Sequence, residues 1–271
     1  MAAARIISLV PSWTATLFAI GAGDRVVGCT RFCEQPRDRV QGLPKVGGTK
    51  DVDVGAVLGL RPDLVIANQE ENTRHAVEAL RARGVNVLLT FAHGVRDAIA
   101  ELRAIGEAAA AAEAADACAS QIEQAVSKIE ARVTGQPSVP VVVLVWRDPW
   151  MVAGAATYID DLVRLCGGDN VFGARRRRYP LAADLGRAPE RPAGDRDTRY
   201  PRITIEEVTR SEPHVVLLPD EPYAFTDHDA QDLRAALPRA RIVLCSGKDL
   251  CWYGVRMAEA IPRVAGLLAA R

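Results

Sequence analysis

The sequence predicts an α/β protein with two lobes, each containing a parallel-stranded sheet, joined by one long helix. Three observations support this fold class. Short apolar, β-branched runs alternate with helical patterns along the chain, a helical zone without proline occupies its middle, and two segments on either side share one pattern. We expect an N-terminal lobe at 1–94, a connecting helical region at 95–134 and a C-terminal lobe at 135–271.

The first predicted element is a strand that leads directly into a helix. The apolar run at residues 6–10 ends at Pro11, and Ser12 or Thr14 can cap a helix that Gly21 closes. A secretory signal would need an unbroken apolar stretch before its cleavage site. We therefore expect this stretch to stay in the first lobe, in a cytoplasmic protein as the chain stands, or a periplasmic or extracellular one if a signal was removed.

The remaining strands follow from further apolar runs. Seven strands are predicted, at residues 6–10, 26–29, 64–67, 85–90, 139–145, 215–218 and 242–245. Between the fourth and the fifth, about residues 95–133 are rich in Ala and Glu and contain a single glycine, Gly106. This composition predicts a long helix between the lobes.

Two segments of the chain match each other in pattern. The stretches "VDVGAVLGLRPDLVIANQEEN" and "ITIEEVTRSEPHVVLLPDEPY" each read as a short helix, a proline, a strand and an acidic loop. With Pro62 aligned to Pro213, Glu70 falls on Glu221. The match predicts two related lobes, each with an acidic loop after a central strand.

One segment interrupts the alternation of strands and helices. Residues 174–202, "ARRRRYPLAADLGRAPERPAGDRDTRYPR", are dense in Arg and Pro and carry an Arg-Tyr-Pro triplet near each end. They predict a surface insertion. A solvated basic loop is the first interpretation, and a lid or partner contact formed by 175–199 is the second.

Composition excludes several classes of protein. Lys plus Arg equals Asp plus Glu at 34 each, so no nucleic-acid partner is indicated, and no apolar stretch approaches the ~20 residues of a membrane span. Phosphate-loop, dinucleotide, serine-hydrolase and zinc-protease motifs are absent from the sequence. The cysteines lack zinc-site spacing, so we expect free thiols and no structural metal. They are Cys29, Cys33, Cys118, Cys166, Cys245 and Cys251.

Aromatic residues follow the predicted strands. Trp13, Trp146, Trp150 and Trp252 all fall in expected loops at the carboxyl ends of strands, where open α/β sheets bind ligands. They either pack the seam between the lobes or form an aromatic cleft for a large, flat ligand, and we favour the cleft. Charged residues share these loops and are individually typical of solvated loop charges. They are Arg31, Glu70, Glu71, Arg147, Asp148, Asp220, Glu221 and Arg256.

Four motifs in order resemble a known family. "RIISLVPSWTATLFAIGAGDRVVGCT", "PKVGGTKDVDVGAVLGLRPDLVIA", "YIDDLVRLCGGDNVF" and "ITIEEVTRSEPHVVLLP" together resemble the helical-backbone substrate-binding proteins of ABC importers. That family includes cobalamin, haem and ferric-siderophore receptors. The quoted motifs most resemble those of its cobalamin-binding branch. The resemblance implies two α/β lobes bridged by one long helix, with the ligand held between the lobes.

The resemblance also implies the residues of a binding site. In cobalamin receptors aromatic side chains cover the corrin and polar groups near the C-terminal helix hold its amides, positions that Trp252 and Arg256 suit. On the N-terminal side it places Ser12, Trp13, Arg31, Asn68, Glu70 and Glu71. On the C-terminal side it places Trp146, Arg147, Trp150, Glu221, Tyr223, Trp252, Tyr253 and Arg256.

Two functions remain open from the sequence. The first is a monomeric, non-enzymatic binding protein that holds cobalamin or a related metal chelate as ligand, needs no cofactor, does not insert into a membrane, and delivers to an ABC permease. The alternative is a cytoplasmic enzyme or biosynthetic accessory protein on the same fold, with Glu70 and Glu221 as acid–base groups.

Overall fold

The computed structural model describes residues 3–269, and the contacts within it divide the chain into two units. Unit 1 comprises Met1–Gln124 and Trp252–Ala258, and unit 2 comprises Ala125–Cys251 and Glu259–Arg271. The predicted division placed residues 95–134 apart from both lobes. The structure assigns most of that region to unit 1 because the first helix of the region buries Ile99, Leu102 and Ile105.

Unit 1 is built on a four-stranded parallel sheet. Its strands are β1 (Ile6–Ser8), β2 (Val26–Cys29), β3 (Leu64–Asn68) and β4 (Val87–Thr90), in the order β2-β1-β3-β4. Every residue of β1 and β3 is buried, as expected for the central strands of a parallel sheet covered by helices. Its helices are α1 (Pro11–Ala19), α2 (Arg37–Val40), α3 (Val54–Gly59), α4 (Arg74–Arg81) and α5 (Val95–Ala108), with a 3-10 turn at Gly23–Arg25.

Unit 2 contains the second sheet. Its strands are β5 (Val139–Trp146), β6 (Met151–Val152), β7 (Gly168–Asn170), β8 (Val215–Pro219) and β9 (Arg241–Cys245). The order is β6-β5-β8-β9, with β7 also paired to β5, and only β6 runs antiparallel among these strands. Unit 2 also contains five helices between residues 125 and 251, which are α7 (Tyr158–Leu165), α8 (Leu181–Asp184), α9 (Ile205–Arg210), α10 (Asp227–Ala236) and α11 (Gly247–Cys251).

Two helices occupy the zone that the sequence predicts as one. The first is α5, and α6 (Ala112–Val133) follows after a turn in which Ala110 has a φ of 49°. The amide of Ala111 donates to the Gly106 carbonyl at 2.8 Å, which closes α5. A Cβ at Gly106 would overlap the Ala115 side chain, so the glycine permits the close approach of the two helices. The boundary between the units lies within α6, which therefore connects them.

The internal match is present in the structure. Asp53 caps α3 and Thr204 caps α9 through side-chain oxygens that accept from backbone amides. Each helix is followed by a residue of positive φ, Arg61 at 48° and Glu212 at 45°, and then by a proline and a fully buried five-residue strand. The repeated plan confirms that the two sheets are built from related segments.

The end of the chain contributes to both units. After α11, a 3-10 turn at Gly254–Arg256 leads into α12 (Met257–Ala269). The turn belongs to unit 1: Gly254 has a φ of 81°, a Cβ there would overlap Thr16 Oγ1, and the Val255 amide donates to that oxygen at 3.3 Å. Within residues 3–269, no helix combines the length and apolar character of a membrane crossing.

The Arg-rich insertion is folded onto unit 2 around a buried carboxylate. Asp184 is 1% exposed and accepts from the backbone amides of Arg178 (2.9 Å) and Arg202 (2.6 Å). The Arg175 guanidinium forms an ion pair with it at 3.2 Å. Of the two interpretations, the solvated loop therefore describes only the outer arginines of the segment, because its inner face is tied to Asp184.

Candidate ligand-binding site

An aromatic cluster follows strands β5 and β8 in unit 2. Trp146 ends β5 and meets the Tyr223 ring edge-on at 5.6 Å between centroids. Tyr223 contacts Phe225 at 4.7 Å, and Trp150 stacks parallel to Phe225 at 6.1 Å. Because β5 and β8 are adjacent parallel strands, the loops after them meet at one edge of the sheet. Trp146, Trp150, Tyr223 and Phe225 are called the aromatic cluster below.

The cluster has a buried base and an exposed edge. Phe225 is 6% exposed, and Trp150 and Tyr223 pack against the hydrophobic core of unit 2. Trp146 is 42% exposed, a high value for a side chain that normally buries most of its surface. Phe225 is missing from the predicted site residues, although it lies two positions after Tyr223 in the same loop.

Arg147 is held by carboxylates beneath the aromatic cluster. Its guanidinium contacts Asp229 Oδ1, donates to Asp232 Oδ2 at 2.9 Å, and lies 5.1 Å from the centre of the Trp150 ring. The hydrogen bond with Asp229 raises the pKa of Arg147. Burial acts to raise the pKa of Asp229. Hydrogen bonds from Thr226 and Arg147 outweigh burial and hold the pKa of that carboxyl below its usual range. In this arrangement Arg147 fixes the position of Trp150.

Trp13 and Trp252 occupy buried positions. Trp13 is fully buried, is the third residue of α1, and donates from Nε1 to Thr90 Oγ1 at 3.0 Å. Its ring lies 5.8 Å from that of Tyr253, and Trp252 is 8% exposed. The expectation that all four tryptophans lie in loops is therefore wrong for Trp146, which is the last residue of β5, and for Trp13. Trp13 lies in α1, which begins at Pro11 soon after β1 and turns the ring into the core of unit 1.

The acidic loop after β3 is shaped by Asn68. This buried side chain accepts at Oδ1 from the amides of Glu70 (2.8 Å) and Glu71 (3.2 Å) and donates from Nδ2 to Thr90 at 3.2 Å. Glu70 in turn accepts a hydrogen bond at Oε2 from the Tyr253 hydroxyl at 3.1 Å. Asn68 thus organises the loop, and Glu70 is anchored to the C-terminal turn of unit 1.

Tyr253 and Arg256 also belong to that turn. The resemblance placed the loop from Trp252 to Arg256 on the C-terminal side of the site, but the structure assigns Trp252–Ala258 to unit 1. Contacts of Tyr253 with Trp13 and of Gly254 with Thr16 are the physical reason. The contact of this loop with a ligand stays a prediction.

Two further predicted residues of unit 1 differ in exposure. Arg31 forms a two-pronged ion pair with Asp51 at 2.9 and 3.0 Å, and this pairing lowers the pKa of Asp51. The guanidinium also lies 5.0 Å from the centre of the Phe32 ring, which is 51% exposed. Ser12 is buried in the first turn of α1, and its Oγ has no hydrogen-bond partner among the described residues.

Glu221 lies after β8 in unit 2, beside Gly247 and Cys251. A Cβ at Gly247 would overlap the Glu221 backbone, and the Gly247 amide donates to Asp220 Oδ1 at 2.7 Å. The Cys251 thiol lies 3.8 Å from Glu221 Oε1. Glu70 and Glu221 therefore belong to different units, and their acid–base role stays a prediction. Among residues 3–269, no three His, Cys, Asp or Glu side chains converge as metal ligands.

Comparison with known proteins finds relatives over most of the chain. The vitamin B12-binding protein of Pectobacterium carotovorum subsp. carotovorum (strain PC1) is 25% identical over 222 residues, which cover 77% of this chain and 80% of that protein. The vitamin B12-binding protein of Yersinia pseudotuberculosis serotype O:3 (strain YPIII) is 26% identical over 211 residues, covering 78% and 72%.

Solved structures share the fold at lower identity. The periplasmic vitamin B12-binding protein BtuF of Vibrio cholerae superposes with a TM-score of 0.78 at 20% identity, covering 98% of this chain and 96% of that one. The periplasmic haem-binding protein RhuT of Roseiflexus sp. RS-1 gives 0.75 at 22% identity, covering 97% of each chain. A family model of periplasmic binding proteins matches residues 6–235, and this match shows that the chain belongs to the periplasmic binding protein family.

Proposed function

We propose that this protein is a receptor that binds a large, flat metal chelate of the cobalamin class against the aromatic cluster of unit 2. The observation that carries the proposal is the exposed Trp146 ring, backed by Tyr223 and by two further aromatic rings. A rigid aromatic surface binds a flat ligand at low entropic cost, because its rings are already fixed before the ligand arrives.

The cluster is fixed by more than aromatic contacts. Arg147 holds Trp150 from one side through its carboxylate partners, and the core of unit 2 supports Tyr223 and Trp150 from below. Trp146 therefore presents its ring on an ordered base. We place the ligand contact at Trp146 and assign supporting roles to Trp150, Tyr223 and Phe225.

The names of the relatives favour cobalamin among the metal chelates. The similar sequences described above are vitamin B12-binding proteins, and the fold is shared with receptors for vitamin B12 and for haem. We therefore place cobalamin first and haem second. That the ligand lies between two lobes, and that Ser12 and Arg256 contact it, stay predictions.

Membership of the family supports a role in delivery. Periplasmic binding proteins pass their ligands to ABC importers, and we propose that this chain does the same outside the cytoplasmic membrane. A cytoplasmic location is the alternative, in which the protein would not deliver a ligand to an importer. Fractionation of cells that express the gene from its own start distinguishes the two: recovery with the periplasmic or extracellular fraction supports delivery, and recovery with the cytosol contradicts it.

Spectroscopic titration tests the binding proposal. The purified protein is titrated with cobalamin and, separately, with haemin, while the absorption of the chromophore is recorded. We expect a stoichiometric spectral change with one of them and an affinity about fivefold lower in Trp146→Ala, because a stacked aromatic contact contributes about 1 kcal/mol.

A matched control separates the cluster from a general surface effect. Leu181, 46% exposed in the same unit, is changed to Ala and should bind as the unchanged protein does. A protein whose addition leaves both chromophores unchanged would contradict the proposal. If Trp146→Ala binds the chromophore with the same affinity as the unchanged protein, the aromatic cluster is not part of the binding site.

A further inference from the structure

The Arg-rich insertion carries arginines that no carboxylate neutralises. Arg175 forms its ion pair with the buried Asp184, and Arg199 pairs with Asp197 at 2.7 Å. Between residues 176 and 196, six further arginines are exposed or half-buried, and none has an ion-pair partner within the part of the chain that the structure describes. They are called the basic surface below and are Arg176, Arg177, Arg178, Arg187, Arg191 and Arg196.

The positive charge of the basic surface is local. The whole chain contains equal numbers of basic and acidic residues, 34 each, so the excess does not reflect a basic composition. Residues 176–196 contain three carboxylates, of which Asp184 is buried against Arg175, and Glu190 and Asp195 are exposed. A concentration of positive charge on a chain of zero net charge attracts anions to that place, and salt weakens the attraction.

Tyr179 brings arginines that are distant in sequence to one place. The guanidinium carbons of Arg177 and Arg196 lie 4.5 and 4.0 Å from the centre of its ring. Its carbonyl accepts from the Arg191 amide at 2.7 Å, and its hydroxyl donates to the Asp197 carbonyl at 2.7 Å. The ring therefore stabilises two like charges beside each other. Guanidinium groups so placed offer several N–H donors to a phosphate group.

An exposed leucine lies next to these charges. Leu181 begins α8, two positions after Tyr179, and is 46% exposed, and Pro180 between them is also exposed. A free phosphate ion bound by the arginines would leave the leucine side chain in water. At a bilayer surface, phosphate groups lie above apolar acyl chains, so one surface satisfies both the arginines and the leucine.

We propose that the basic surface binds the headgroups of anionic phospholipids at a bilayer. The arginines donate hydrogen bonds to lipid phosphates, and Leu181 packs among the headgroups. Each arginine near an anionic bilayer adds a modest attraction, and several together hold the protein reversibly at the surface. This contact does not depend on which ligand unit 2 binds.

Vesicle sedimentation with the full chain tests the proposal. The protein is mixed at low ionic strength with vesicles of phosphatidylglycerol and phosphatidylcholine in equal parts, or of phosphatidylcholine alone. We expect binding to the anionic vesicles only, and release at about 0.5 M salt. The double variant Arg177→Gln and Arg196→Gln should lower the partition coefficient about thirtyfold, or about fivefold for each charge removed.

Matched variants separate the basic surface from general charge. Arg234 and Arg239 are exposed in unit 2 without an ion-pair partner among residues 3–269, and changing both to Gln should leave binding unchanged. If the arginines on the Tyr179 ring are needed for folding, Arg187→Gln with Arg191→Gln removes the same charge without touching the ring and should give a similar loss. Leu181→Ala should lower the partition coefficient about fivefold, because less apolar surface leaves water.

The outcomes distinguish a bilayer from other anions. Equal partition of the basic-surface variants and the Arg234 and Arg239 control, or equal binding to phosphatidylcholine alone, would overturn the proposal. Inorganic phosphate and polyglutamate are added as competitors at constant ionic strength. Release by phosphate would assign the arginines to a free anion, and binding of polyglutamate without binding of vesicles would assign them to an acidic protein. Either result would overturn the bilayer as the partner.

Discussion

Glu101 on α5 is a carboxyl group with only one satisfied oxygen. Its Oε1 accepts from the Phe91 amide, and its Oε2 is buried without a hydrogen-bond partner among the described residues. Burial raises the pKa of Glu101 to about 7; Asp97 also raises it, and the Phe91 amide and His93 oppose the rise. The group therefore couples folding of unit 1 to protonation near neutral pH.

The sign of this coupling gives a pH prediction. Between the ordinary value of 4.5 and about 7, the folded protein holds a proton on Glu101 that the unfolded chain has lost, so stability falls as pH rises through this window. Glu101→Gln keeps the acceptor for Phe91 and removes the charge. It should gain about 1–2 kcal/mol relative to the unchanged protein at pH 8 and little at pH 5.

Urea unfolding at both pH values measures the difference. Glu107→Gln, an exposed change on the same helix, serves as control and should shift stability equally at the two pH values. An equal stability difference between Glu101→Gln and the unchanged protein at pH 5 and pH 8 would contradict the role assigned to Glu101.

At the scale of elements, the Arg-rich insertion depends on one carboxylate. Nine arginines and four acidic residues lie between 174 and 202, so the segment carries excess positive charge. Asp184 offsets part of it by pairing with Arg175 and accepting two backbone amides. Its removal would leave the Arg175 guanidinium, whose side chain is 16% exposed, with Glu207 at 3.8 Å as its remaining carboxylate partner.

Asp184→Asn should therefore release the insertion. We expect a loss of about 3 kcal/mol in the stability of unit 2, because a buried ion pair loses one partner. Trypsin, which cuts after Arg, should cleave within 176–199 faster than in the unchanged protein. The exposed Asp195→Asn in the same segment should show the cleavage rate of the unchanged protein. If the Asp184 variant is cleaved by trypsin no faster than the unchanged protein, contacts other than those of Asp184 hold the insertion in place.

The elements show how far the sequence determines this fold. Apolar runs predicted seven of the nine strands described above. The two that were missed are β6, which has only two residues, and β7, whose residues Gly-Asp-Asn include no apolar side chain. The break between α5 and α6 also escaped prediction, because a run of alanines supplies the left-handed residue Ala110 where glycine is usual. Local sequence patterns therefore predict most helices and strands. They fail where a helix is ended by backbone conformation alone, without a residue type that marks the end.

The site was harder to predict because burial depends on distant partners. Trp13 and Trp146 both follow predicted strands, yet one is fully buried and the other is 42% exposed. Trp13 is covered by Tyr253, which lies 240 positions away and carries no sign of that contact in the sequence. Trp146 and Tyr223 lie close together because adjacent parallel strands bring their loops to one edge.

At the scale of the whole molecule, the chain crosses between the units more than once. It leaves unit 1 within α6, builds unit 2, and returns through Trp252–Ala258 before α12 continues in unit 2. Unit 1 is thus completed by a segment from the far end of the chain. Tyr253 covers Trp13 and hydrogen-bonds Glu70, so this short return joins the core of unit 1 to its acidic loop.

Gly254 is the residue on which this return depends. Its φ of 81° favours glycine, and a Cβ would overlap Thr16 Oγ1 and approach the Trp13 ring. Gly254→Ala should cost unit 1 about 1–3 kcal/mol, since conformational strain and the steric overlap add. Gly266→Ala, on α12 with open space around the new methyl group, should instead stabilise by up to about 1 kcal/mol. Both variants are compared by urea unfolding with intrinsic tryptophan fluorescence as the signal. If Gly254→Ala unfolds at the same urea concentration as the unchanged protein, the return segment is not required for the stability of unit 1.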